Sequence, residues 1–134
     1  MSLIAVLPVR LAAGLVFFLH GSQKLFGWFG GDGLSGATAL AKRMGFAPPD
    51  IWGIVIAVIQ FTGGLFILTG LWARFWASAI GFFLMVEILR VHWDRGFLGG
   101  YEYQFALFCI CVTLALAGAG KFSLEGVVSS RKGK

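Results

Sequence analysis

Residues 51–92 read IWGIVIAVIQFTGGLFILTGLW (51–72), AR (73–74) and FWASAIGFFLMVEILRVH (75–92). The first piece carries no charged side chain, and the third carries Glu87, Arg90 and His92 only toward its end. A helix needs about 20 mostly apolar residues to cross a bilayer. Only Ala73 and Arg74 lie between the two pieces, so they must turn back on each other as an antiparallel hairpin. Working outward, similar runs occur from about Leu3 to Trp28 and from about Tyr101 to Ala119. The expected fold is therefore all-α: an integral membrane four-helix bundle, up-down-up-down, with spans at about 3–28, 51–72, 75–92 and 101–119. It forms a single transmembrane domain over residues 1–126, followed by a basic polar tail over 127–134.

Composition agrees. Of 134 residues 58% are apolar and only 13% are charged, against about 25% charged in an average soluble domain. Mean hydropathy is +0.86. So much apolar surface excludes a disordered chain, and two Cys inside an apolar run exclude a disulfide-stapled scaffold. The first run is expected to be retained rather than cleaved as a signal. Its apolar stretch exceeds a signal core, and no Lys or Arg precedes it. Trp28, Trp52, Trp72, Trp76 and Trp93 all fall at span ends, as an interfacial belt does.

The first connection, residues 29–50, is the long one. Gly30-Gly31-Asp32-Gly33 reads as a flexible turn. Leu34 to Phe46 reads as a short helix with Ser35 as its cap, too short to span and expected to be interfacial or re-entrant. Ala47-Pro48-Pro49 should stop it, and Asp50 should cap the second span. The recurrent span glycines, among them Gly14, Gly21, Gly63 and Gly64, are expected to let helices approach closely.

The net charge is +5, but Arg131, Lys132 and Lys134 crowd the last four residues. Beside a membrane span that is an orientation or headgroup signal. Without a basic patch interleaved with aromatics outside the spans, nucleic acid is not an expected partner. Arg74, Lys121, Arg131, Lys132 and Lys134 share one side. Lys42, Arg43 and Arg95 lie on the other, with Lys24 and Arg90 near it. The balance favours both termini in the cytoplasm.

Chemistry is sought among ionisable groups inside the spans, because each is costly there unless paired or wetted. Topology brings His20, Lys24, Glu87, Arg90, His92 and Glu102 toward one membrane face, with Arg10 toward the other. His20 and Lys24 are one helical turn apart, about 6 Å in rise. Arg10 lies within about 80° of both on the helical wheel, so all three can look into the bundle. Glu87 and Arg90 have the i, i+3 spacing of a pair within one helix, and on that helix His92 points away from both. Glu102 needs a partner across helices, with Lys24, Arg90 or His20 in reach. The cluster reads as a polar pocket or proton relay in one leaflet. An alternative keeps these groups structural, with long side chains reaching headgroups and ion pairs orienting helices. Two His without a clear third ligand make no metal or haem site. Cys109 and Cys111 point to opposite sides of one helix and cannot join in an unstrained disulfide; they read as two buried thiols packing as small apolar residues.

Four stretches carry a resemblance. Arg10-Leu11-Ala12-Ala13-Gly14 with His20-Gly21-Ser22-Gln23-Lys24-Leu25 resembles the opening helix of the DoxX family. Gly64-Leu65-Phe66-Ile67-Leu68-Thr69-Gly70-Leu71 with Arg74 is similar to its second helix and tight link. Val91-His92, Gly96-Phe97 and Tyr101-Glu102-Tyr103 resemble the turn before its last helix. Gly118-Ala119-Gly120-Lys121-Phe122-Ser123-Leu124-Glu125 resembles its closing signature. The match runs over about residues 8–126.

The resemblance implies a four-helix protein of the bacterial inner membrane, related to a subunit of a thiosulfate:quinone oxidoreductase. By position it carries over Arg10, Gly21, Lys24, Glu102 and Ser123, with Gly118 and Gly120 as motif glycines. Glu87, Cys109 and Cys111 lie outside the family pattern. The expected function is a membrane subunit of an oxidoreductase system that binds a quinone or other lipophilic small molecule. No intrinsic cofactor is evident, so electrons would come from a partner or a bound cofactor. The rival is a non-catalytic subunit packing against a larger membrane complex. The bilayer, a membrane or peripheral protein, and a second copy of the chain are the expected partners. A solute carrier is disfavoured by the lack of paired broken helices.

Overall fold

The computed structural model describes residues 5–118. Gly120, Ser123, the tail 127–134 and the outermost residues of the first and fourth expected spans lie outside them. Five α-helices are described: α1 Val6–Phe26, α2 Gly33–Met44, α3 Pro49–Thr69, α4 Ala73–Glu87 and α5 Glu102–Ala117. Four segments are long and apolar enough to cross a membrane: Val6–Phe26, Pro49–Thr69, Ala73–Arg95 and Phe97–Ala117. The protein is a multi-pass membrane protein, as its sequence implies. Large apolar side chains such as Leu15, Phe75, Phe82 and Leu116 stand exposed around the bundle. A water-soluble monomer rarely tolerates such contiguous surface, but lipid matches it.

The helix ends explain where the expected boundaries shift. Gly70 adopts φ 80° and closes α3, its N–H bonding to Phe66 O at 2.8 Å while Leu71 N–H bonds to the same oxygen at 3.0 Å. This left-handed stop satisfies the last carbonyls three residues before the turn expected at Ala73-Arg74. The link is thus Gly70-Leu71-Trp72, and Arg74 sits in the first turn of α4. Gly45 ends α2 in the same way at φ 88°, ahead of the Pro pair expected to stop it. Ser35 does not cap α2: the cap is Asp32, and Ser35 Oγ donates to Asp32 O at 2.9 Å. Nor does Asp50 cap α3. Pro48 holds that position, Pro49 opens the helix, and Asp50 in the first turn favours the dipole.

The most extensive packing is α1 on α3; α3 also packs on α4 and α4 on α5, and a slimmer contact between α1 and α5 closes the ring. The core between them holds Phe17, Ile67, Ile80, Leu84 and Leu114. α2 buries Ala37, Ala41 and Met44 against the start of α3. There a Cβ on Gly53 would stand 2.8 Å from Thr38 N, so only glycine lets α2 cross so closely.

The third span departs from α geometry. After Glu87 it continues as a π-helical turn, Ile88–His92, then a tight turn Trp93–Arg95. The chain re-enters through Phe97–Tyr101, where Leu98 and Gly99 leave helical angles.

Candidate functional site

Four helices line one internal cavity. α1 supplies His20 and Lys24, α3 Gln60, α4 Glu87, and α5 Tyr103 and Gln104; Val16, Phe17, Leu84 and Leu107 form its apolar part. Its volume is about 40 Å³. At about 10–15 Å³ per water, that admits some three waters or one polar group, not a quinone ring.

Each polar wall is set by local helix chemistry. His20 Nδ1 lies 2.8 Å from Val16 O one turn back. A carbonyl only accepts, so Nδ1 donates and Nε2 is left as an acceptor. The His20 and Tyr103 rings lie 6.3 Å apart across the α1–α5 seam. Tyr103 is about half exposed, so this seam opens toward lipid. Gln60 is 7% exposed. Among the described residues its Oε1 has no hydrogen-bond partner, nor has the buried Oε1 of Gln104. Such atoms cost roughly 1–3 kcal/mol each when left unmet, so they mark a place where a donor is wanted. Lys24 and Glu87 attract each other across the cavity, and Tyr103 stands in the field of the same carboxylate. Lys24 also lines a second, polar hollow of about 250 Å³ with Gln23, Gly31 and Asp32, between the end of α1 and the start of α2. It therefore stands between the interior cavity and an outer vestibule.

The structure brings together His20, Lys24 and Glu87 of the expected cluster. It keeps Arg90 and Glu102 away from them, and holds His92 outside the cavity lining but against Glu87. His92 does not point away from Glu87: its Nε2 lies 3.2 Å from Glu87 Oε1. On an α-helix a residue five positions on is swung about 140° aside, but a π turn closes on i+5 and brings it back. Arg90 does not line the cavity. It is exposed, and its guanidinium packs beside Gly45 at the C-terminus of α2, where a cation is favoured.

Glu102 does not reach across helices either. It is exposed, and its Oε1 accepts the N–H of Gly99 at 3.1 Å, fixing the turn that starts α5. Arg10 is buried, 4% exposed, but nearly three turns from His20 and outside the cavity lining. Gly21 has a structural reason: an added Cβ would stand 2.3 Å from Phe61 N. Gly118 ends α5 at φ 80° close to Arg74. Cys111 is buried as expected, whereas Cys109 is exposed on the opposite side; both are free thiols.

Gln60, Tyr103 and Gln104 are polar lining residues that the expected cluster lacks. Glu102 drew the attention because it is charged. The usable signal was Gln104, an amide inside an otherwise apolar span, aligned with Leu107 one turn on.

The DoxX family model matches residues 5–93. The chain is 30% identical over 129 residues to the "Putative oxidoreductase CatD" of Bacillus subtilis (strain 168), covering 96% of this chain and 90% of that protein. No solved structure matches it significantly.

Proposed function

The chain belongs to the DoxX family, and from that premise we propose that it is a membrane subunit of an oxidoreductase system. Its cavity takes the hydrogen-bonding edge of a quinone or similar lipophilic molecule. The observation that carries the reading is the convergence of His20, Lys24, Gln60, Glu87, Tyr103 and Gln104, from four helices, on one small cavity inside the bundle. Such groups are expensive at that depth and are kept where function needs them. The relative's name, an oxidoreductase, points the same way.

The volume limits how the molecule sits. Only a carbonyl or hydroxyl enters; the ring stays at the α1–α5 seam beside Tyr103. Lys24 donates to a quinone oxygen, while Gln60 Oε1, Gln104 Oε1 and Glu87 accept from a hydroquinone hydroxyl. Redox electrons come from a partner or a bound cofactor, while the lining residues supply protons and hydrogen bonds. With both termini in the cytoplasm, the cavity lies in the outer half of the cytoplasmic membrane.

The test is photo-crosslinking of the purified protein with a short-tailed photoreactive quinone, mapped by mass spectrometry. Label is expected on α1 and α5 near His20 and Tyr103. Lys24→Met is expected to cut labelling on the order of ten-fold, as the loss of one charge-assisted hydrogen bond does. Equal labelling in Lys24→Met, or label scattered over the lipid face, overturns the reading.

A second reading, a packing subunit of a larger complex, draws on an open apolar groove between α4 and α5. Ala77, Ser78, Gly81 and Ala115 line it with small side chains that suit helix contact in lipid. Native mass measurement in mild detergent separates the two: bound quinone on the chain supports the first, and a stoichiometric foreign subunit with no quinone supports only the second.

A further inference from the structure

We infer that the π-helical turn Ile88–His92 makes His92 the proton gate of the cavity, passing protons between the aqueous face and Glu87. The inference deepens the reading above but rests on its own geometry.

Glu87 lines the cavity, and its side chain is only 17% exposed. Its Oε1 meets His92 Nε2 at 3.2 Å, and the His92 side chain is 12% exposed. His92 does not line the cavity; beyond it lies exposed Arg95, whose Nη1 stands 3.5 Å from His92 Nδ1. These contacts form one file: cavity, carboxylate, imidazole, surface.

The tautomer follows from the partners. A guanidinium only donates, so Nδ1 is the acceptor and Nε2 carries the proton toward the carboxylate. The Arg95 contact is long, at the limit of a hydrogen bond, and Arg95 is on the surface, so water can replace it at Nδ1. A proton taken from water at Nδ1 gives the imidazolium. The Nε2 proton then moves to Glu87 Oε1, leaving a neutral imidazole and a neutral carboxylic acid, with charge conserved. Glu87 passes the proton into the cavity, and exchange with water restores the starting tautomer: Nε2 takes up a proton and Nδ1 gives one up. Histidine suits this because its ordinary titration lies near neutrality.

The charged and titratable groups around the pair are Lys24 from α1, Tyr103 from α5, and Arg95 beyond His92. His20 shares the cavity, and Arg90 is turned toward α2. Lys24 faces the carboxylate as its counter-charge across the cavity. The π turn is what the device requires. In continuous α-helix His92 would swing away from Glu87 and the contact between them would be lost.

The test is pH-jump infrared spectroscopy on the reconstituted protein, following the carboxyl C=O band of Glu87, identified by its absence in Glu87→Gln. In the native chain Glu87 is expected to take up a proton promptly after acidification. His92→Asn keeps a hydrogen bond to the carboxylate but cannot titrate. It is expected to slow uptake on the order of ten-fold or more, as loss of a positioned acid–base group does. Added imidazole should recover much of the rate. His92→Gln serves if the Asn variant is unstable. Uptake at the native rate in both variants, or no Glu87 band change on acidification, overturns the inference. Quinone labelling is scored separately. Its loss with the relay intact sinks the quinone reading alone.

Discussion

Helix α1 meets its two neighbours in opposite ways. Toward α3 the backbones nearly touch: an added Cβ would stand 2.7 Å from Leu68 at Gly14, 2.3 Å from Phe61 at Gly21, and 2.4 Å from Phe18 at Gly64. Toward α5 the contact is slim, and a polar cavity occupies the gap. In lipid no hydrophobic force draws helices together, so close van der Waals packing has to do it. The glycine seam supplies that packing on one side of α1. It leaves the other side free to hold groups that would not pack well anywhere. Stability and chemistry are thus divided between two faces of one helix, and substitutions on the two faces should behave differently.

The largest effect is expected from Gly21→Leu. The clash at Gly21 is with the backbone of Phe61, which cannot rotate aside as a side-chain tip can. The seam would have to separate along its length, at a cost beyond the usual 1–3 kcal/mol of overpacking. Size-exclusion chromatography and thermal scans in detergent should show loss of the monodisperse folded species, with Gly21→Ala falling between. A native-like melting temperature for Gly21→Leu would break the comparison.

On the other face the sign changes. Gln60 comes from α3 into the cavity, buried and with Oε1 unmet among the described residues. Replacing such a group by an apolar one of similar size removes a penalty of roughly 1–3 kcal/mol rather than a bond. Gln60→Leu is therefore expected to melt at the native temperature or a few degrees higher, while quinone labelling falls. A marked loss of stability would show that Gln60 is part of the packing, and the division between faces would fail.

How much of this division was legible beforehand follows from the same physics. The spans and the aromatic belt are properties of composition over about 20 residues, so they read directly. Close-packing roles for Gly14, Gly21 and Gly64 follow from residue type alone. His20, Lys24 and Glu87 were placed together because span topology sorts residues by depth. Depth does not say which way a side chain turns, however. Arg90 and Glu102 lie at the right level, but Arg90 answers to the end of α2 and Glu102 to the turn that starts its own helix. His92 was misread because the helical wheel assumes α geometry, and nothing in Ile88-Leu89-Arg90-Val91-His92 announces a π turn. Tyr103 and Gln104 were hidden by the assumption that charge, rather than polarity, marks a buried site.

Glu102→Ala gives the smallest effect and the sharpest control. Glu102 is charged, lies at the cavity's end of the bundle and belongs to the family-like pattern, so a purely depth-based reading assigns it to the site. In the structure it serves the backbone instead, its Oε1 receiving the N–H of Gly99 on the exposed turn before α5. That is an acidic group at a helix N-terminus, worth on the order of 0.5 kcal/mol at an exposed position. Glu102→Ala should lower the melting temperature by a degree or two and leave quinone labelling and Glu87 proton uptake unchanged. Loss of labelling equal to that of Lys24→Met would place Glu102 in the cavity after all, and would move the boundary between the two faces of α1 outward to the loop. If the small effect holds, the chemistry is confined to groups that line the cavity or, like His92, touch one that does.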